Sequence, residues 1–151
     1  MDEMYVVAQL QQDVRFAIDT GSGHTVMVDM LDDLAPGITG AGSSPMELLL
    51  VALAGCTGIS VLSILRKRKQ DITSYELRVH GKRASQHPKV FTTITVEHVF
   101  TGRMLEAKWV ERAIALAEER YCGVEAMLGK TATITHTYTI IDKSGTSEKN
   151  T

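Results

Sequence analysis

Leu48-Leu49-Leu50-Val51-Ala52-Leu53-Ala54-Gly55-Cys56-Thr57-Gly58-Ile59-Ser60-Val61-Leu62-Ser63-Ile64-Leu65 runs for 18 residues without a charge. Ser44 lies three positions before Glu47, with Pro45 between them. That is a capping box with proline at the first helical position, so the spacing predicts a helix starting at residue 45. Arg66-Lys67-Arg68-Lys69 complements the negative end of its dipole and sets its end near Lys69. The run reaches the length of a membrane span. Ala54-Gly55-Cys56-Thr57-Gly58 and two serines dilute its middle, however, and the remainder of the chain is amphipathic and needs a core to cover. A soluble helix apolar all round is buried on every side, which in so short a chain calls for a second subunit.

The rest of the composition narrows the class. One globular domain is expected from 151 residues with 44% hydrophobic content. A net charge of −2 gives no reason to expect a nucleic acid or an anionic membrane as partner. Met1-Asp2-Glu3 is acidic and no apolar signal region follows, and two cysteines make no disulfide scaffold, so the expected compartment is a reducing cytoplasm.

Around the long helix the pattern alternates. Met4–Gln9, Val14–Ile18 and His24–Asp29 read as strands, the last two joined by Gly21-Ser22-Gly23. Residues 32–45, with Pro36-Gly37, Gly40 and Gly42, read as a loop. Ser74–Gly81 places Tyr75, Leu77 and Val79 on one face, and Val90–Phe100 does the same with Ile94, Val96 and Phe100. His87-Pro88 marks the turn between these two strands. Trp109, Val110, Ala113, Leu116 and Ala117 recur at helical spacing over 106–120. Cys122 follows, then a helical turn at Val124–Leu128, a strand at Thr131–Ile141 and a polar tail expected to fray after Asp142. The expected class is α+β, an antiparallel sheet with a long buried central helix.

Cys56 sits inside the apolar run, and Cys122, the other cysteine, follows the second helix. Two readings stand side by side. Either the sulfurs are inert core filling, or one attacks and the other resolves in a thiol–disulfide cycle.

Ser44-Pro45-Met46-Glu47-Leu48-Leu49-Leu50 followed by Ala54-Gly55-Cys56 resembles the signature of the OsmC/Ohr family, the osmotically inducible protein C and organic hydroperoxide resistance proteins. The likeness continues through Arg68-Lys69-Gln70-Asp71-Ile72, Gly102, Val110-Glu111-Arg112-Ala113, Tyr121-Cys122 and Ile134-Thr135-His136, and spans about residues 14–141. The resemblance implies an intertwined homodimer that reduces hydroperoxides, preferentially organic ones, in oxidative or osmotic stress defence. Cys56 is then the peroxidatic cysteine and Cys122 the resolving one, re-reduced by an external dithiol that is commonly lipoyl-linked. Neither a metal nor an organic cofactor is implied.

A thiol in apolar surroundings needs a nearby cation to ionise. The family supplies an arginine from an N-terminal strand, and Arg15 is the only arginine before residue 66. The family also orients that arginine with a glutamate, at the position Met46 occupies here. Glu47 matches the next position, about 100° round the helix. This departure keeps a rival reading open: a non-catalytic or weakly active protein that binds an apolar ligand or senses redox state. Met46, Glu47 and Met127 are the substrate-binding candidates, with Met30 and Leu31 as further walls of an apolar entrance. His24 reads as a turn or strand residue, His80, His87 and His98 as outward-facing or loop-bound, and His136 as a structural histidine that could line a pocket. No CxxC or HxxxH spacing points to a metal site.

Overall fold

Ser44 and Glu47 close the expected capping box. Ser44 N–H donates to Glu47 Oε2 at 2.8 Å and Glu47 N–H donates to Ser44 Oγ at 3.3 Å. They start α1, Pro45–Lys67. The computed structural model describes residues 3–30 and 40–143, and the backbone of 147–150. Leu31, Pro36 and Gly37 lie outside the described residues. Lys69 ends the helix in the left-handed region at φ 54°. There Gln70 N–H reaches Leu65 O at 3.0 Å and Lys69 N–H reaches Arg66 O at 3.0 Å. This paired closure is a Schellman motif, and it stops α1 two residues short of the expected end.

The chain divides into two compact units, Met1–Leu49 and Leu50–Thr151. The first contains a three-stranded antiparallel sheet of β1 (Val6–Gln12), β2 (Arg15–Thr20) and β3 (Thr25–Val28) in chain order. Gly23, at φ +88°, makes the expected hairpin turn between β2 and β3. Every residue of β1 is exposed, including Val6, Val7 and Leu10.

The second unit is a four-stranded sheet ordered β4-β5-β6-β7, from β4 (Asp71–Arg83), β5 (Phe91–Arg103), β6 (Thr133–Asp142) and β7 (Ser147–Asn150). Two expectations change here. The sheet is mixed rather than wholly antiparallel, because β5 and β6 run parallel from Thr93↔Thr133 to Gly102↔Asp142. Their connection holds α2 (Ala107–Leu116), a π turn (Ala117–Tyr121) and α3 (Gly123–Leu128), the long helical crossover that a parallel pair requires. The tail is not frayed throughout: β7 pairs antiparallel with Tyr138–Ile141.

α1 packs on this sheet by Leu53, Thr57, Val61 and Leu65, buried at every fourth residue. Gly58 allows the approach, since a Cβ there would stand 3.1 Å from Leu77 Cδ1. Val61 and Leu65 join Phe100, Val110, Ala113, Ile114, Ala117, Tyr138 and Ile140 in the core. Each fully buried aliphatic side chain contributes roughly 1.5–3 kcal/mol. The expectation of burial on every side does not hold within one chain, because Val51 is 61% and Ile59 72% exposed. The helix is also long and apolar enough to cross a membrane by length and composition.

Candidate functional site

Cys56 and Cys122, 66 positions apart in sequence, meet in the second unit with both sulfurs free. The π turn produces this meeting. Cys122 N–H bonds to Ala117 O at 2.9 Å, five residues back, and the chain then leaves the helical path with Cys122 extended at φ −91°, ψ 97°. The sulfur thereby turns inward, against the α1 face that carries Cys56 and Thr57. Thr57 Oγ1 donates to Cys122 Sγ at 3.7 Å and Glu125 N–H donates to it at 3.3 Å.

The two thiols differ in what reaches them. Cys122 is 2% exposed. Burial pushes its thiol above the ordinary value, and hydrogen bonding with Cys56 adds to the rise, while the Glu125 N–H and the Thr57 hydroxyl oppose it. Cys56 is half-buried and therefore the more open of the pair to an incoming oxidant. An alkylating reagent at neutral pH is expected to label Cys56 well before Cys122, read by mass spectrometry of the peptides. Equal labelling rates would contradict this geometry.

One turn beyond Cys56 along α1, a cleft of about 600 Å³ opens, lined by Ile59, Ser60, Ile64, Leu116, Tyr121 and Arg68 among others. Arg68 also lies over the Trp109 ring, 4.3 Å from its centroid. Along α1 the cleft mixes Ile59 and Ile64 with Ser60 and Ser63, it is basic at the helix end with Lys67 and Arg68, and sequence reasoning did not foresee it.

A string of buried polar groups lies on the other side of Cys122. Tyr75 Oη and His98 Nδ1 are 2.6 Å apart, His98 Nε2 and His136 Nδ1 3.0 Å, and His136 Nε2 and Glu125 Oε1 2.8 Å. His98 is fully buried, which corrects its reading as outward-facing. It shares the inward face of β5 with Ile94, Val96 and Phe100, as period-two alternation requires. Burial holds its imidazole down at about 3, with neighbouring His136 adding to the effect, so it is neutral at physiological pH. Burial likewise pushes the Tyr75 phenol far above its usual value. Tyr75, His98 and Phe100 stack, with the Tyr75 and Phe100 centroids 4.4 Å apart.

Two of the remaining candidates, Arg15 and Glu47, are each engaged by a partner of their own. Arg15, on β2, donates from Nε to Asp29 Oδ2 at 3.1 Å. Asp29, 7% exposed, also accepts from Ala41 N–H at 3.0 Å and Met30 N–H at 2.8 Å. Sequence reasoning missed this partner because it looked for the orienting carboxylate only at the helix start, where Met46 stands. Glu47 is engaged with Ser44 in the cap, Met46 is half-buried, and Met30 and Met127 are 42% and 76% exposed. The Ala41 N–H, then Arg15, then the Met30 N–H lower the Asp29 carboxyl below its ordinary 3.8. Its stabilising contribution is therefore present above about 3.8 and lost as pH falls through the lower folded value. Asp29→Asn is expected to melt earlier than wild type at pH 7, with the gap closing in acid. A gap that persists unchanged below pH 3 would contradict the ion pair.

Residues 38–137 match the sequence model of the family described as OsmC-like protein. Protein YhfA of Escherichia coli (strain K12) is 39% identical over 127 residues, 83% of this chain and 90% of YhfA. An OsmC-like protein from Mycoplasma pneumoniae has a similar structure, with a TM-score of 0.77 at 17% identity over 92% of this chain and 97% of that one. An organic hydroperoxide resistance protein OsmC from Legionella pneumophila gives a TM-score of 0.68 at 16% identity over 91% and 97%. At those identities the likeness of the two structures concerns the fold.

Proposed function

This chain belongs to the OsmC-like protein family, and we propose that it reduces organic hydroperoxides by cycling between two thiols and a Cys56–Cys122 disulfide. The observation that carries the reading is that the enclosed Cys122 sulfur is held at 3.7 Å by the hydroxyl of Thr57, the residue next to the half-open Cys56 on α1. The name of the Legionella protein agrees with the chemistry.

Cys56, as thiolate, attacks the distal oxygen of R–OOH. The O–O bond breaks, the alkoxide takes a proton and leaves as R–OH, and the sulfur becomes a sulfenic acid. The Cys122 sulfur then displaces hydroxide from that sulfenic sulfur, which leaves as water with the thiol proton. Two electrons have passed from the sulfurs to the peroxide. An external dithiol, of the lipoyl class, restores them by exchange and departs as its own disulfide. Thr57 and the Glu125 N–H hold Cys122 Sγ in place for the second step.

Consumption of cumene hydroperoxide with dihydrolipoamide tests the proposal. Turnover by wild type and none by Cys56→Ser is expected; equal rates would overturn it. A second reading, a redox-sensing pair with slow turnover, draws support from Arg15, whose guanidinium is engaged by Asp29. Disulfide formation by wild type without multiple turnover would favour the sensor.

The working unit in this proposal is a cytoplasmic homodimer. Its support is the apolar outer face of α1, with Val51 and Ile59 largely exposed on a single chain. Wild type is expected to sediment at twice the chain mass, and Ile59→Glu at the mass of one chain. Monomeric wild type would remove the dimer from the account.

A further inference from the structure

Beyond the cysteine pair, three potential ligand groups converge that no sequence spacing announced. Glu118 comes from the π turn, Glu125 from α3 and His136 from β6, with one ligand atom of each lying within 4.8 Å of the others. We propose that Glu118, Glu125 and His136 form a binding site for a first-row divalent metal ion.

Glu125 is the reason this is more than an acidic cluster. Its side chain is 6% exposed, and its Oε1 faces His136 Nε2 at 2.8 Å. Among the described residues, Glu125 Oε2 is the buried side-chain oxygen left without a hydrogen-bond partner. A buried carboxylate oxygen in that condition is costly, and Glu125 lines a pocket of about 290 Å³ together with Glu118, Lys130, Ala132 and Ile134. Bringing a second carboxylate, Glu118, to the same pocket raises the cost unless a cation lies between them. Lys130 is the basic side chain in that wall, and it is exposed.

The donor set fits a small divalent ion. One imidazole nitrogen and two carboxylates suit zinc, manganese or iron, and three protein ligands leave a position for water. Tetrahedral zinc places its ligand atoms roughly 3.3 Å apart. The His136–Glu125 separation is already close to that, and Glu118, exposed, closes the remainder by a side-chain rotation. Behind the site, His98 Nε2 stands 3.0 Å from His136 Nδ1 and Tyr75 Oη 2.6 Å from His98 Nδ1. That string fixes the ring plane of His136, as outer partners of a metal-binding histidine do, and either tautomer satisfies its inner members. The bound ion joins the π turn, α3 and β6, the segments on both sides of Cys122.

Zinc titrated into the full-length, chelator-treated protein, followed by calorimetry, is expected to show saturable binding of one ion per chain. Glu118→Gln, an exposed position that leaves folding intact, and His136→Gln are each expected to weaken binding by at least about tenfold, while Cys56→Ser leaves it unchanged. Cobalt is expected to give visible absorption bands without a sulfur-to-metal charge-transfer band. Three results would overturn the site: no saturable binding, affinity within twofold of wild type in Glu118→Gln, or a charge-transfer band that disappears in Cys122→Ser.

Discussion

Cys56→Ser protein is expected to lose at least about a thousandfold in hydroperoxide turnover, because a serine hydroxyl cannot replace a thiolate as nucleophile towards peroxide oxygen. Cys122→Ser should behave differently. The half-open Cys56 still attacks, so one equivalent of cumene hydroperoxide is consumed per chain in a burst. The sulfenic acid then has no internal partner, and turnover with dihydrolipoamide falls by about a hundredfold or more, the exchange now depending on a direct encounter. Excess peroxide should drive Cys56 in this variant on to the sulfinic acid, visible as a gain of two oxygens on its peptide. The same burst and the same steady rate in both variants would mean that the sulfurs do not divide the work as proposed.

His98→Leu is expected to destabilise the chain by about 2–4 kcal/mol, because it leaves the Tyr75 hydroxyl and His136 Nδ1 buried without their shared partner. For a chain of this size that lowers the melting temperature by roughly 5–15 °C. Leucine is apolar and near enough in volume to histidine that the loss reports the hydrogen bonds more than a cavity. His80→Leu, at an exposed position on β4, serves as the control and should change stability by no more than about 0.5 kcal/mol. Circular-dichroism melts of the two variants decide it. Equal melting temperatures would show that the polar string contributes nothing to the fold.

The part of the fold governed by local rules was legible in the chain. The capping box at Ser44 and Glu47, the Gly21–Gly23 hairpin and the period-two faces of β4 and β5 each follow from a few neighbouring residues. The direction of β6 was also within reach, since two helical segments between β5 and β6 are what a parallel connection needs. His98 was misread although it falls in step with Ile94, Val96 and Phe100, because a polar residue type was given more weight than its position in the alternation. The π turn at Ala117–Tyr121 left no such trace. It is set by how α2 meets the core, and it decides which way Cys122 and Glu118 point.

The candidate site divides in the same way. Cys56 and Cys122 could be named from the chain and its resemblance to a known family, whereas Asp29, Glu125 and Glu118 could not. Asp29 takes its role from Ala41, twelve residues further on, whose N–H donates to its carboxylate just after β3. Glu125 takes its role from β6, eleven residues further on, turning His136 towards it. Neither pairing follows a fixed spacing. Both depend on tertiary register.

The most direct measurement treats reduced wild-type protein with a single equivalent of cumene hydroperoxide, blocks remaining thiols and maps the peptides without reduction. A Cys56-containing peptide joined to the Cys122-containing peptide, with both thiols lost together within one chain, is the result this account predicts. Recovery of Cys122 as a fully alkylated free thiol beside an over-oxidised Cys56, or a disulfide only between chains, would contradict it.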